Sequence, residues 1–453
     1  MSIVGLLIGA ALLVLVALGG HGPSRSSGFA SLGLLGPLRR RGRGAGGLPI
    51  GRLATARWWR LPVRLSAPVG ESVLVIGPTG SGKTTSLIIP SLLSWEGPIV
   101  AASVKDDLLL ATESWRRSKG RVGILAPGEL VGPRSVTFEP VGSCGDFGDA
   151  RRIAQGIVGL GPPGSGHAEM EFWGQLAIKL LAGLLLAANR AGGDLSMVAG
   201  WLDHHSTAEP VSWVSDPRDH RALDALEASF GRDERQLGSV IATAEAAIEP
   251  LLDQGGARSF DPTELLAGEG TLYLCAPAHD QRRFAQVFAS VTSEVLRQAF
   301  LTARQQGGRL AAPLLVVLDE AAAIAPLGDL DVLAATCASH GITLVTCFQD
   351  LAQIQARWSE RAATIVNNHR TRIFLGGLAD PAAAEFVGAL GGPAARARSE
   401  KVPSPPRRLI EPHQLRQMPR RSALVVSGSI PMTRAVIRPW WSDRVLRARG
   451  EQR

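Results

Sequence analysis

The residues "GPTGSGKTT" open the chemistry. Gly77, Pro78, Thr79, Gly80, Ser81, Gly82, Lys83 and Thr84 match G-x-x-x-x-G-K-[ST] at every position, and Thr85 follows. Glycines at this spacing let successive backbone N–H groups converge on one point at a helix start, forming a nest for an anion. Lys83 would reach the β- and γ-phosphates of a nucleotide, and the Thr84 hydroxyl would complete a Mg²⁺ site. The expected cofactors are ATP and Mg²⁺, held by residues 77–85. A chance glycine-rich turn is the bland alternative, but the apolar run Val73–Ile76 before it and the helical pattern after it supply the strand–turn–helix context.

Two further stretches fit the same chemistry. In "LLVVLDEAAAI", the aliphatic run Leu315–Leu318 leads into Asp319 and Glu320. Unpaired buried charge is costly, so a core strand ending in two carboxylates needs a reason. A phosphate loop gives one: Asp319 would hold Mg²⁺ through its water shell, and Glu320 would polarise the attacking water as general base. Taken alone, the pair would read as an exposed helix start. In "GITLVTCFQDLAQI", a strand ends in Gln349 and a helix begins near Asp350. Ligands of α/β sheets lie at the carboxyl ends of strands, so Gln349 is expected to face the nucleotide and sense the γ-phosphate or orient water. A capping or edge role is the alternative. Lys83, Glu320 and Gln349 are therefore the catalytic candidates, with Thr84 and Asp319 at the metal.

These residues need a sheet to position them. Candidate strands are Val73–Ile76, Pro98–Val104, Val122–Ala126, Thr271–Ala276, Leu314–Leu318, Thr343–Phe348, Arg372–Leu375 and Ala423–Val426. Short apolar runs between helical segments predict an α/β fold with a mostly parallel sheet covered on both faces. Thr84 and Asp319 are too far apart in sequence for one or two crossovers, so an insertion is expected. Residues 146–258 lose strand-like runs and gain helical period, with Trp173, Leu176, Ala177, Leu180, Leu181 and Leu184 on one face and Leu237, Val240, Ile241 and Ile248 on another. The expected organisation is a transmembrane anchor at 1–21, a basic linker at 22–60, a nucleotide-binding domain at 61–145 and 259–443, an all-helical inserted domain at 146–258, and a basic tail at 444–453. The apolar run Leu176–Ala188 is interrupted by Lys179 and too short to span a bilayer, so it reads as core.

Charge is unevenly placed. The net +8 divides into +9 over residues 1–70, +10 over 394–453 and −11 over 71–393, so the high pI is no argument for a basic nucleic-acid surface on the body. Ile3–Gly20 is uncharged and spans about 27 Å as a helix against a hydrocarbon core of about 30 Å. Arg25, Arg39, Arg40, Arg41 and Arg43 follow it, so the positive-inside bias places the body in the cytoplasm. The arginines can also lie on anionic headgroups. A cleaved signal peptide is the rival reading, against which the n-region lacks Lys and Arg. Cys144, Cys275, Cys337 and Cys347 show no C-x-x-C spacing and read as reduced thiols. His204 and His205 are adjacent, which is not the spacing of a helical metal pair.

From Leu61 to Trp441 the chain resembles the coupling ATPases of type IV secretion and conjugation. The resemblance rests on the ordered set "GPTGSGKTTSLIIPSLL", "SVKDDLLLAT", the helical insertion, "GTLYLCAP", "LLVVLDEAAAI", "GITLVTCFQDLAQI" and "ALVVSGSIPMTRAVIRPWW". It implies a membrane-anchored motor with a RecA-like nucleotide domain, an all-helical domain, and a homo-hexameric ring with nucleotide at subunit interfaces. It implies the Walker A roles for Lys83 and Thr84, the Walker B roles for Asp319 and Glu320, and the sensor role for Gln349. Lys105 falls at a family position to which no chemistry is assigned. The implied partners are single-stranded DNA with its relaxase or a secreted protein, the secretion channel, and the membrane. Two departures stand out. Relatives often carry two membrane helices where this sequence shows one. Relatives also often have an arginine just before the glycine of the sensor strand, where this chain has Ala338, Ser339 and His340. Arg370 and Arg372 are candidates to supply that trans-acting charge. An ATP-driven translocase is the leading reading. A membrane receptor that binds ATP with little hydrolysis and a double-stranded DNA translocase are the alternatives, and a small-molecule kinase would not need an anchor or a large helical insert.

Overall fold

The computed structural model describes residues 29–30, 33–39, 47–54, 63–126, 134–159, 168–256, 258–277, 279–393 and 408–452. The expected anchor at 1–21 lies outside the described residues, as does most of the stretch from 22 to 46. Thirteen strands are seen among the described residues: β1 (Leu48–Leu53), β2 (Arg64–Ala67), β3 (Val73–Ile76), β4 (Ile99–Ser103), β5 (Val122–Leu125), β6 (Val136–Thr137), β7 (Arg258–Ser259), β8 (Thr271–Cys275), β9 (Leu314–Leu318), β10 (Ile342–Phe348), β11 (Thr371–Leu375), β12 (Ser422–Ser427) and β13 (Ile430–Val436).

Eleven of them form one sheet in the order β2-β1-β13-β12-β11-β3-β10-β9-β4-β8-β5. Every pairing from β11 to β5 is parallel, and every pairing from β11 through β12, β13 and β1 to β2 is antiparallel. The strands β3, β4, β8, β9 and β10 are buried along their whole length, as continuous aliphatic runs between two helical layers must be. Alternate residues feed two cores. Leu74, Ile76, Val316 and Leu318 face one, and Val73, Val75, Leu315 and Val317 face the other.

The antiparallel edge corrects the expected organisation. Residues 48–53, assigned to the linker 22–60, form β1, paired on β13 through Arg52↔Val436 and Leu53↔Ala435. A Cβ at Gly51 would stand 2.5 Å from the Val436 carbonyl oxygen, so glycine is what lets the two backbones meet. The expected basic tail is also structured: Arg444–Gly450 is a helix whose start is capped by Asp443, and Arg449 donates to the Leu93 carbonyl at 2.7 Å while lying over the Trp115 ring.

The chain leaves the sheet after β5 and returns at β8. The short parallel pair β6–β7 marks the neck, and the described residues between Phe147 and Leu252 carry helices and no strand. Helix Ala168–Ala191 is at the centre of this segment. By length and composition Met170–Ala191 could cross a membrane, but 61% of its most apolar window is buried, with Ala177, Leu180, Leu181 and Leu184 in the core. It is a core helix, held to the sheet domain through Phe147–Val158 packed on the long helix Gln281–Gln305.

Behind the sheet, helix Ala362–Asn368 ends on His369, which is fully buried. Its Nδ1–H donates to the Ile365 carbonyl at 2.7 Å, so Nε2 accepts from the Thr346 hydroxyl of β10 at 2.9 Å, a pattern only the neutral ring can make. Burial depresses its protonation to about 4 from the ordinary 6.5. The unfolded chain therefore binds the extra proton first, and the stability His369 contributes, present above pH 6.5, is lost as pH falls through about 4. His369→Gln is expected to flatten this part of the profile. Denaturant unfolding from pH 7 to 4 should show wild type losing up to roughly 3 kcal/mol more than the variant, and parallel curves would refute the assignment.

Candidate nucleotide site

The order β11-β3-β10-β9 brings the separated sequence stretches together. β3 delivers Gly77, β9 delivers Asp319 and Glu320, and β10, between them, delivers Gln349, all at the carboxyl ends of parallel strands. The Gly77 N–H donates to the Phe348 carbonyl at 3.1 Å, which pins the start of the loop to the end of β10. A Cβ at Gly77 would lie 2.8 Å from both Leu375 Cβ and Ser81 Oγ, so this position has no room for a side chain. Gly80 and Gly82 have φ of +77° and +96°, the left-handed turns that curl the loop over Thr79 and Ser81.

The helix that follows starts wide. Thr84–Ile88 form a π-helical turn in which the Ile89 N–H reaches the Thr84 carbonyl, before α-helix resumes over Ile89–Ser94. Pro90 explains the widening, because its ring would crowd the carbonyl of Ser86 and it has no N–H to give. Thr84 and Thr85 thus sit on a turn set by a proline one turn further on.

Lys83 is buried, and its ammonium donates to the Gly77 carbonyl at 2.5 Å and lies 3.4 Å from that of Pro78. The Thr84 hydroxyl donates to Asp319 Oδ2 at 2.6 Å. Asp319 is 4% exposed. Burial raises its carboxyl to about 6, against the pull of the Thr84 hydrogen bond and the Lys83 charge. Its other oxygen, Oδ1, is buried with no hydrogen-bond partner, and so is Ser81 Oγ. A desolvated carboxylate with a free lone pair, beside a hydroxyl and a lysine, suits a divalent cation with a polyphosphate, since the ion's charge favours the ionised form. The residues present fit Mg²⁺ and a nucleotide.

Glu320 has φ of +69°, left-handed for a residue with a side chain. That costs on the order of 1–2 kcal/mol. In a straight strand Asp319 and Glu320 would point to opposite faces. The turn breaks that alternation and lets both serve the site, Asp319 against Thr84 and Glu320 within 3.3 Å of Gln349 Nε2. Gln349 is itself braced: its N–H donates to Gln353 Oε1 at 3.0 Å, and the Gln353 N–H donates to Asp350 Oδ1 at 2.9 Å. Gln353 was not singled out from the sequence, although the spacing D-x-x-Q at a helix start is the signal that could have found it. All twelve candidate residues therefore gather at one edge of the sheet.

The candidates for a trans-acting arginine are placed differently. The Arg372 guanidinium donates to the carbonyls of Val366, His369 and Asn367, closing the end of helix Ala362–Asn368. Arg370 pairs with Glu71 at 3.1 Å. Both precede or begin β11, at the sheet edge opposite the phosphate loop. Ala338–His340 lie on that same edge before β10, and a guanidinium does stand beside them: a Cβ at Gly341 would meet Arg309 Cγ at 3.0 Å, and one at Gly70 would meet Arg309 Nη2 and the Ala338 carbonyl at 3.1 Å. His204 and His205 are exposed, and no cluster of metal-ligating side chains occurs among the described residues.

Known proteins are similar to this chain. Conjugal transfer protein TraG of Escherichia coli is 27% identical over 327 residues, covering 65% of this chain and 50% of TraG. Protein VirD4 of Agrobacterium fabrum is 22% identical over 460 residues, covering 94% of this chain and 67% of VirD4. The chain thus spans about half the length of the TraG relatives it matches. Among solved structures, the conjugative coupling protein TrwB lacking its first 70 residues, in its sulphate-bound trigonal form, superposes with a TM-score of 0.65 at 17% identity, over 92% of this chain and 96% of that one. TrwB in complex with ADP and Mg²⁺ gives a TM-score of 0.61 at 17% identity, over 83% and 87%. The RecA-type fold is therefore shared. Residues 50–452 match the family described as Type IV secretory system conjugative DNA transfer, and the chain belongs to that family.

Proposed function

We propose that this protein is the membrane-anchored ATPase that recruits DNA with its relaxase, or a protein substrate, and drives it into a type IV secretion channel. The observation that carries the reading is the 2.6 Å hydrogen bond from Thr84 to Asp319, which joins the phosphate loop to the buried carboxylate strand. Thr84 and Asp319 would hold Mg²⁺, and residues 77–85 the phosphates. When bound, the ion supplies charge neutralisation to the transferring phosphoryl group. Glu320 accepts the proton of the attacking water, Gln349 orients that water through its amide, and Lys83 moves from the loop carbonyls to the phosphates. TrwB structures with ADP and Mg²⁺ and with an ATP analogue support the choice of nucleotide.

Lys83 is the one cation among these residues, and phosphoryl transfer gains most from a second. Arg309, seated beside Gly341 at the opposite edge, is our candidate to provide it to a neighbouring subunit of a homo-hexameric ring. The anchor expected at 1–21 would place the assembly on the cytoplasmic face of the inner membrane. The acidic balance of 71–393 argues that cargo is gripped by a few arginine-bearing loops rather than a uniformly basic lining.

ATP turnover by the full-length protein in detergent, with and without single-stranded DNA, tests the reading. Turnover should rise with single-stranded DNA and vanish in Lys83→Ala. Glu320→Gln should keep nucleotide binding and lose roughly 10²-fold or more in turnover. Arg309→Ala should lose a comparable factor with binding intact, and mixing it with Lys83→Ala should restore part of the rate if the arginine acts between subunits. Tight ATP binding with no turnover under any DNA condition would instead favour the receptor reading. Separately, Gly77→Ala should lower nucleotide affinity at least roughly tenfold in a filter or fluorescence assay, because the added Cβ must displace the loop. Unchanged affinity would remove the loop from the binding site.

A further inference from the structure

A second basic cleft opens where the two ends of the chain meet the phosphate-loop helix. Arg52 on β1, Arg64 on β2, Arg438 just beyond β13, Asp443 at the start of the final helix, and Ser86 and Pro90 after the phosphate loop line a space of about 90 Å³. Three guanidiniums share it with one carboxylate. Arg64 approaches Asp443 at 3.7 Å, while the side chains of Arg52 and Arg438 make no hydrogen bond or ion pair among the described residues. Burial, together with repulsion from Arg438 and Arg64, holds the Arg52 guanidinium below its ordinary value, and Asp443 offsets this only in part. At the same place Ser86 is 5% exposed and its hydroxyl, buried, has no hydrogen-bond partner. Gathered like charges cost free energy that a bound anion with several acceptor oxygens would return.

We propose that this cleft is a phosphate-binding site, separate from the phosphate loop, which takes one phosphate group between Arg52, Arg438 and Arg64. Its volume is enough for a single tetrahedral oxyanion. Two sources share that chemistry: free phosphate, and the headgroup of an anionic lipid. The second is within reach because β1 follows directly on the arginine-rich segment expected beside the membrane. The site bears on the nucleotide because Ser86 lies in the wide turn two residues beyond Thr84, and its Oγ would stand 3.2 Å from a Cβ on Gly82. A phosphate there braces that turn, and therefore the loop, from outside. Anion binding at this cleft does not depend on whether the protein is a motor.

Calorimetric titration of the full-length protein in detergent with inorganic phosphate tests it, in the Lys83→Ala background so that the loop does not contribute. One saturable equivalent is expected. The double change Arg52→Gln with Arg438→Gln should weaken it roughly tenfold. Asp443→Asn should tighten it about threefold, because it removes the one carboxylate while keeping the oxygen that accepts from the Val445 and Leu446 N–H groups. A gain cannot come from misfolding. Absence of binding, or binding indifferent to all three residues, would overturn the site and leave an adventitious ion only. Repeating the titration in micelles carrying phosphatidylglycerol names the source: displaced phosphate identifies the lipid headgroup, and undisturbed binding identifies the free anion.

Discussion

One hydrogen bond, from Thr84 to Asp319, fixes where everything else must be. Its partners are 235 residues apart, and the bond exists only if β3 and β9 lie two strands apart with both carboxyl ends on one edge. That demand requires β10 between them, which is why the strand carrying Gln349 is flanked by the phosphate loop on one side and the two carboxylates on the other. It also burdens the fold. Asp319 is pushed up to about 6 and left with an orphan oxygen, and Glu320 is forced into a left-handed turn. Such strain persists where the surrounding packing over-determines it, and here the fully buried β9 does so.

The segments that leave the site are tied to each other. The helix after Gln349 ends in Trp358, whose indole N–H donates to the Leu327 carbonyl at 2.8 Å, in the loop that follows Glu320. The same indole packs edge-on against Phe348, the last residue of β10. A shift of the Glu320 segment therefore moves the Gln349 helix as well. The loop after Glu320 and the long helix Gln281–Gln305 share the packing that holds the helical insertion, so the chemistry and the insertion are mechanically contiguous.

Most of the site was legible in the sequence because its parts obey local rules. The phosphate loop is a pattern of glycines whose reason is backbone geometry, and Asp319, Glu320 and Gln349 each end an aliphatic run that only a central strand explains. The parallel strands were legible for the same reason. Of the antiparallel edge only β12 was, as Ala423–Val426. β1 contains Pro49 and Gly51, β13 contains Pro431, and β2 is four residues long, so each reads locally as turn or linker. What makes them strands is non-local: β1 needs β13, whose register comes from β12. Arg372 shows the same limit. Next to a strand it looked available for chemistry, but three helix-end carbonyls claim its donors.

Because β1 is the strand that covers β13, the chain's beginning is also the sheet's seal. A body trimmed to start after Leu53 would keep every residue of the nucleotide site and expose the hydrogen-bonding edge of β13 at Ala435–Val436. Open edges of that kind pair with other chains. The shortest soluble form of this protein should therefore be cut before Leu48, and insolubility of shorter forms would reflect an unsealed sheet rather than a missing membrane.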